Sequence, residues 1–109
     1  MDVLSAAIAF PLWWLPPKKY DHPFKGELII QYLDAGQLAA ACGADSWACT
    51  EGNINGRCII YIPRIGVHDV LGTGSHQGVN AQGQEGLIRH ERSHCNGWPA
   101  NHPGSRFLP

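Results

Sequence analysis

The sequence predicts a small α+β domain, an antiparallel sheet of about three strands packed on one principal helix. Three stretches carry that expectation. "KGELIIQYLD" has the alternation of a strand, with Leu28, Ile30 and Tyr32 on one side and Ile29 and Gln31 on the other. "SWACTEGNINGRCIIYIPR" reads as two strands joined at Asn55-Gly56, a dipeptide that favours tight hairpin turns. From about Asn80 the pattern changes to helical spacing and continues to Cys95.

The remaining segments fall around these elements. The chain has 109 residues, enough for one domain spanning 1–109 and too few for two. Residues 1–17 form an apolar arm, interrupted by Pro11 and ended by Pro16-Pro17, with Trp13 and Trp14 as its bulkiest side chains. The arm is too short to span a bilayer and carries Asp2 where an export signal has a basic residue. It is expected to pack on the sheet as added core; docking to a membrane or a protein partner is the alternative. "AGQLAAACG" predicts a helix of about two turns, stopped at Gly43. Pro63 suggests that the strand it closes lies at a sheet edge. Between Gly66 and the last helix lies a Gly-, His- and Gln-rich loop, long for so small a domain.

Composition narrows the function classes. Apolar residues are 44% and charged residues 16%, which excludes a disordered, charge-rich chain. The net charge is −1 and the basic residues are scattered, so neither nucleic acid nor an anionic surface is an expected partner. Four cysteines in so short a chain fit two disulfides formed in an oxidising compartment, with reduced thiols as the alternative. Cys49 and Cys58 flank the turn and are expected to face each other, leaving Cys42 for Cys95. On that reading the chain is extracytoplasmic, secreted or virion-associated rather than cytoplasmic.

The chemistry concentrates in "LIRHERSHCNGWPANHPG", which holds three of the six histidines. His90-Glu91-x-x-His94 places two imidazoles one helical turn apart, so both reach a single metal ion. A glutamate beside the first histidine then faces the metal-activated water as general base. Leu87 shares the face of His90 and His94, while Arg89, Arg92 and Ser93 are expected opposite, towards solvent. Asn96-Gly97 supplies a left-handed helix stop, Trp98-Pro99 stiffens the return, and His102 arrives as a third candidate ligand.

The run "HERSHCNGWPANH" resembles the zincin metallopeptidases, with their H-E-x-x-H-x-x-G-x-x-H pattern. It is also similar to small bacterial and phage-encoded predicted metallopeptidases with an H-E-x-x-H-x-N-G-W-P-x-x-H-P run, in which "YDHPFKG" and "CIIYIP" have counterparts. The chain departs from the first pattern in one respect. Ala100 occupies the third histidine's place, His102 follows two residues later, and no methionine comes after it. A solvated loop histidine is the alternative for His102.

The resemblance implies a minimal zincin-like peptidase acting on a peptide or protein. Zn²⁺ is held by His90, His94 and His102, and Glu91 is the catalytic base. "RCIIYIPR" is the candidate strand edge for substrate, and Tyr61 or Arg106 the candidate oxyanion stabiliser. The rival reading is a structural or virion-associated protein in which zinc only staples the fold, closed by a fourth ligand such as Cys95 or His76.

Overall fold

A computed structural model describes residues 15–43, 46–67 and 79–105. Most of the apolar arm, the loop carrying His68 and His76, and Arg106 lie outside the described residues. The described chain is α+β, as expected. After a single 3-10 turn at Lys18–Tyr20 come β1 (Glu27–Leu33), α1 (Ala35–Cys42), β2 (Cys49–Ile54), β3 (Arg57–Pro63) and α2 (Ala81–Cys95).

Local chemistry explains the element boundaries. Asp34 and Gln37 form a reciprocal capping box at the start of α1, with the Asp34 carboxylate accepting from the Gln37 amide at 2.9 Å. Asn80 caps α2 by accepting from the Gly83 amide at 2.7 Å. Asn55 and Gly56 both have positive φ, 54° and 79°, the geometry of the tight turn their dipeptide favours.

The sheet order is β1-β3-β2, and it is mixed rather than wholly antiparallel. β2 and β3 pair as the expected antiparallel hairpin, but β1 runs parallel to β3. The cause is topological. The chain leaves β1 through α1 and lays down β2 at the far edge, and the hairpin then returns β3 into the gap beside β1. β3 is therefore the central strand, and the expectation that it forms an edge is corrected. Pro63 is tolerated because it lies past Tyr61, the last β3 residue paired with β2.

The core lies between the sheet and α2. Cys58, Ile60 and Ile62 project from β3 onto Leu87 and Cys95 of the helix, and Trp47 and Val79 close the sides. Each large aliphatic side chain buried there contributes roughly 1.5–3 kcal/mol. The other sheet face carries Tyr61, and α1 packs over β1 and β3 with Leu38 fully buried.

Both disulfides form, but with different partners from those expected. Cys42 is bonded to Cys49 and Cys58 to Cys95. The hairpin register excludes the expected pair: Cys58 lies opposite Asn53, and Cys49 lies opposite Tyr61. Alternation also directs Cys58 into the core and Cys49 to the opposite face, towards the end of α1. Two bridges in so short a chain are the pattern of proteins matured in an oxidising compartment. Among the described residues, no helix is long and apolar enough to cross a membrane.

The outer side of α2 is partly covered, which corrects the solvent-facing expectation for Ser93 and in part for Arg92, while the Arg89 side chain stays 43% exposed. Arg89 and Arg92 both pair with Asp21, Arg89 through two nitrogens. Asn96 donates to the carbonyls of Tyr20 and His22 at 2.9 and 2.7 Å. Ser93 is fully buried, its hydroxyl donating to the Arg89 carbonyl. The segment 18–22 therefore clamps the helix from behind. At the end of the arm, Pro16 is completely buried.

Candidate metal centre

His90 and His94 occupy successive turns of α2, on the side that faces the sheet. The helix ends at Cys95, where the amides of Asn96 and Gly97 bond back to the last turn. Gly97 has φ of 104°, a conformation that L side chains resist, and it turns the chain back over the helix end. The Trp98 amide bonds to the Ser93 carbonyl at 3.0 Å, and the His102 amide to the Pro99 carbonyl at 2.9 Å. That second turn leaves His102 at φ of 60°, uncommon for a residue with a Cβ. This tight return brings its imidazole to the other two.

The three Nε2 atoms form a nearly equilateral triangle. His90 to His102 is 3.1 Å, His94 to His102 is 3.2 Å and His90 to His94 is 3.3 Å. Ligands of a tetrahedral zinc ion at about 2.0–2.1 Å are separated by roughly 3.3 Å, so the donor set fits the ion. The tautomer fits as well. His94 Nδ1 lies 2.7 Å from the Trp98 carbonyl, which only accepts, so Nδ1 carries the proton and Nε2 presents a lone pair to the cluster. Burial holds the His94 pKa below its usual value against that carbonyl bond. His102 is lowered in the same direction by burial and by the neighbouring His94. The neutral form that a metal requires is thus the favoured one.

Glu91 sits beside the triangle without joining it. Its carboxylate is almost wholly buried, and its Oε2 is 3.9 Å from His90 Nε2. The Thr50 hydroxyl donates to Oε1 at 2.6 Å from across the cleft. Burial pushes the Glu91 pKa up to about 7, opposed by the Thr50 hydrogen bond.

The histidines and Glu91 open onto a cleft of about 530 Å³, walled on its other side by residues 46–50 and Gly52. Glu91 is the one acidic or basic side chain, apart from the histidines, among the described residues that line it. Among the described residues, His90, His94 and His102 form the group able to hold a metal ion. Cys95, a candidate fourth ligand for a purely structural site, is bonded to Cys58 instead.

Tyr61 is not brought to the site. It alternates with the core residues Ile60 and Ile62, so it projects from the opposite face of the sheet, where its hydroxyl donates to Glu51 at 2.9 Å. That bond, more than burial or the Glu51 charge, raises its pKa. Two contributors were not legible beforehand. Thr50 holds Glu91 only because the hairpin register sets it opposite Ile60, on the face that meets α2. Trp98 touches all three histidines. Its position in the return segment was a usable signal for a structural role, though not for that contact.

No protein-family model, curated protein or solved structure matches the chain. The likeness to zincins rests on the residues of the His90 to His102 run.

Proposed function

We propose that the chain is a zinc-dependent metallopeptidase that works in an extracytoplasmic setting, as a secreted or virion-associated protein. The observation that carries the reading is the triangle of three imidazole nitrogens 3.1–3.3 Å apart, with a buried glutamate beside it on an open cleft. Zn²⁺ held by His90, His94 and His102 supplies Lewis acidity that polarises a scissile carbonyl and acidifies a water.

The chain's own residues do the rest. Thr50 occupies Oε1 of Glu91, which leaves Oε2 towards the histidines to accept a proton from the attacking water. Glu91 then delivers that proton to the departing amine nitrogen as the C–N bond breaks. The products are a carboxylate and an amine. β2 is an edge strand beside the cleft, and its outer backbone groups suit an extended peptide.

Two variants and one elemental analysis test this. Wild type purified without chelator contains about one zinc per chain, and His94→Ala loses it. Glu91→Gln keeps the zinc and cleaves a fluorogenic peptide library about 10²–10⁴-fold more slowly. Absence of any divalent ion from wild type, or full activity in Glu91→Gln, defeats the reading.

A further inference from the structure

The geometry points to Trp98 as a positioning residue that holds the three imidazoles in ligand geometry before a metal arrives, so that zinc affinity depends on this side chain as well as on the histidines. The inference rests on the metal centre proposed above and concerns a residue that is itself no ligand.

Five contacts converge on Trp98, one through its backbone carbonyl and four through its indole, and the residue is 2% exposed. Its carbonyl accepts from His94 Nδ1 at 2.7 Å and so selects the tautomer whose Nε2 faces the cluster. Its indole lies nearly parallel to the His94 ring, 13° apart with centroids at 4.9 Å, and blocks rotation of that imidazole. The same indole meets His90 and His102 edge-to-face, each with centroids at 5.0 Å. Finally, its Nε1–H donates to the Pro103 carbonyl at 2.8 Å, directly after His102.

The last contact explains how His102 is retained. Its backbone has φ of 60°, a conformation that a free loop leaves readily. The Pro103 carbonyl hooked by the indole, the Pro99 carbonyl and the Ser105 hydroxyl together over-determine it. Three ring nitrogens within 3.1–3.3 Å of one another are crowded, and the surrounding ring and carbonyl oppose their spreading.

The test measures zinc affinity on the full-length protein by competition with a chromophoric chelator, in wild type, Trp98→Phe and Trp98→Leu. Trp98→Phe retains a ring against His94 and deletes the donor to Pro103; it should bind zinc about 10- to 100-fold more weakly. Trp98→Leu, which also lacks the ring, should bind more weakly still. A measurement on the unmodified protein covers the case in which these variants fold poorly. In ¹⁵N-histidine NMR of metal-free wild type, one histidine should be held as the Nδ1–H tautomer with a slowly exchanging proton. The backbone carbonyl of residue 98 fixes that tautomer, and without it His94 lacks the orientation on which the indole stacks. Zinc binding by Trp98→Phe as tight as wild type overturns the proposal alone, as does a metal-free protein whose histidines are all Nε2–H. Failure of wild type to bind zinc overturns the metal centre and this proposal with it.

Discussion

Cys58 and Cys95 are 0% and 3% exposed and join the central strand to the last residue of the helix that bears His90 and His94. Cys42 and Cys49 are only half-buried, and they join the end of α1 to the first residue of β2. The first bridge spans 37 residues and the second 7. One therefore fixes the helix that carries His90 and His94 to the sheet, and the other steadies the strand that carries Thr50. Glu91 belongs to both regions, since α2 bears it and β2 grips it. The difference teaches that the histidine triangle and the grip on the Glu91 carboxylate rely on separate supports.

The largest expected effect comes from breaking the longer, buried bridge. By loop-closure entropy, replacing Cys58 and Cys95 together with alanine costs about 4 kcal/mol, before the cavities it leaves in the core are added. That is a large share of a small domain's stability. Chemical denaturation should show the loss, and zinc affinity should fall with it because Cys95 adjoins His94. Intact zinc affinity in a destabilised protein would show that the return segment holds the triangle without the bridge.

The next effect is read from pH. In the metal-free protein Glu91 is raised from 4.5 to about 7, so the folded chain holds its proton more tightly than the unfolded chain does. The resulting stabilisation is complete below pH 4.5 and is lost as pH rises through about 7, on the order of 3 kcal/mol in all. His94 and His102 act oppositely. Their lowered values stabilise the fold above 6.5, and that contribution is lost as pH falls through them. Denaturation of metal-free Glu91→Gln should therefore lack the decline that this group gives wild type between about pH 4.5 and 7. An identical decline in both would assign it to another group.

Removing Cys42–Cys49 should cost about 2.5 kcal/mol, less than the first bridge because its loop is shorter. Its half-buried sulfurs also make it the first to yield to a dithiol, so mild reduction followed by alkylation should label Cys42 and Cys49 before Cys58 and Cys95. Labelling of all four at one rate would erase the distinction between the bridges. Zinc content should survive the selective reduction.

The smallest effect sharpens the comparison at a single bond. Thr50→Val removes the hydroxyl that bonds Glu91 and should cost about 1 kcal/mol. Zinc binding should be unchanged, whereas peptide cleavage should fall and recover in Thr50→Ser. A Thr50→Val protein that loses zinc would show that β2 supports the triangle too.

Much of this molecule was legible in the sequence because its signals are local. The spacing of His90 and His94 is one helical turn whatever lies around it. Asn55-Gly56, Asn80, Gly43 and Gly97 act through their own backbone conformations and caps, and each appears where its chemistry puts it. His102 was readable as a candidate from its place after the Gly97 turn, and the converging nitrogens match that candidacy.

The rest was decided by contacts between distant residues. The order β1-β3-β2, with its parallel pair, depends on where the crossover through α1 lands, which no single strand encodes. That order removed β3 from the sheet edge. The hairpin register around a bulge then separated Cys49 from Cys58, turned Tyr61 away and aimed Thr50 at Glu91. Because side chains alternate from face to face along a strand, a shift of one residue in that register reverses which of them reach the cleft. The sequence by itself thus determined the helices, the turn and the candidate ligands; the tertiary structure decided which residues surround those ligands.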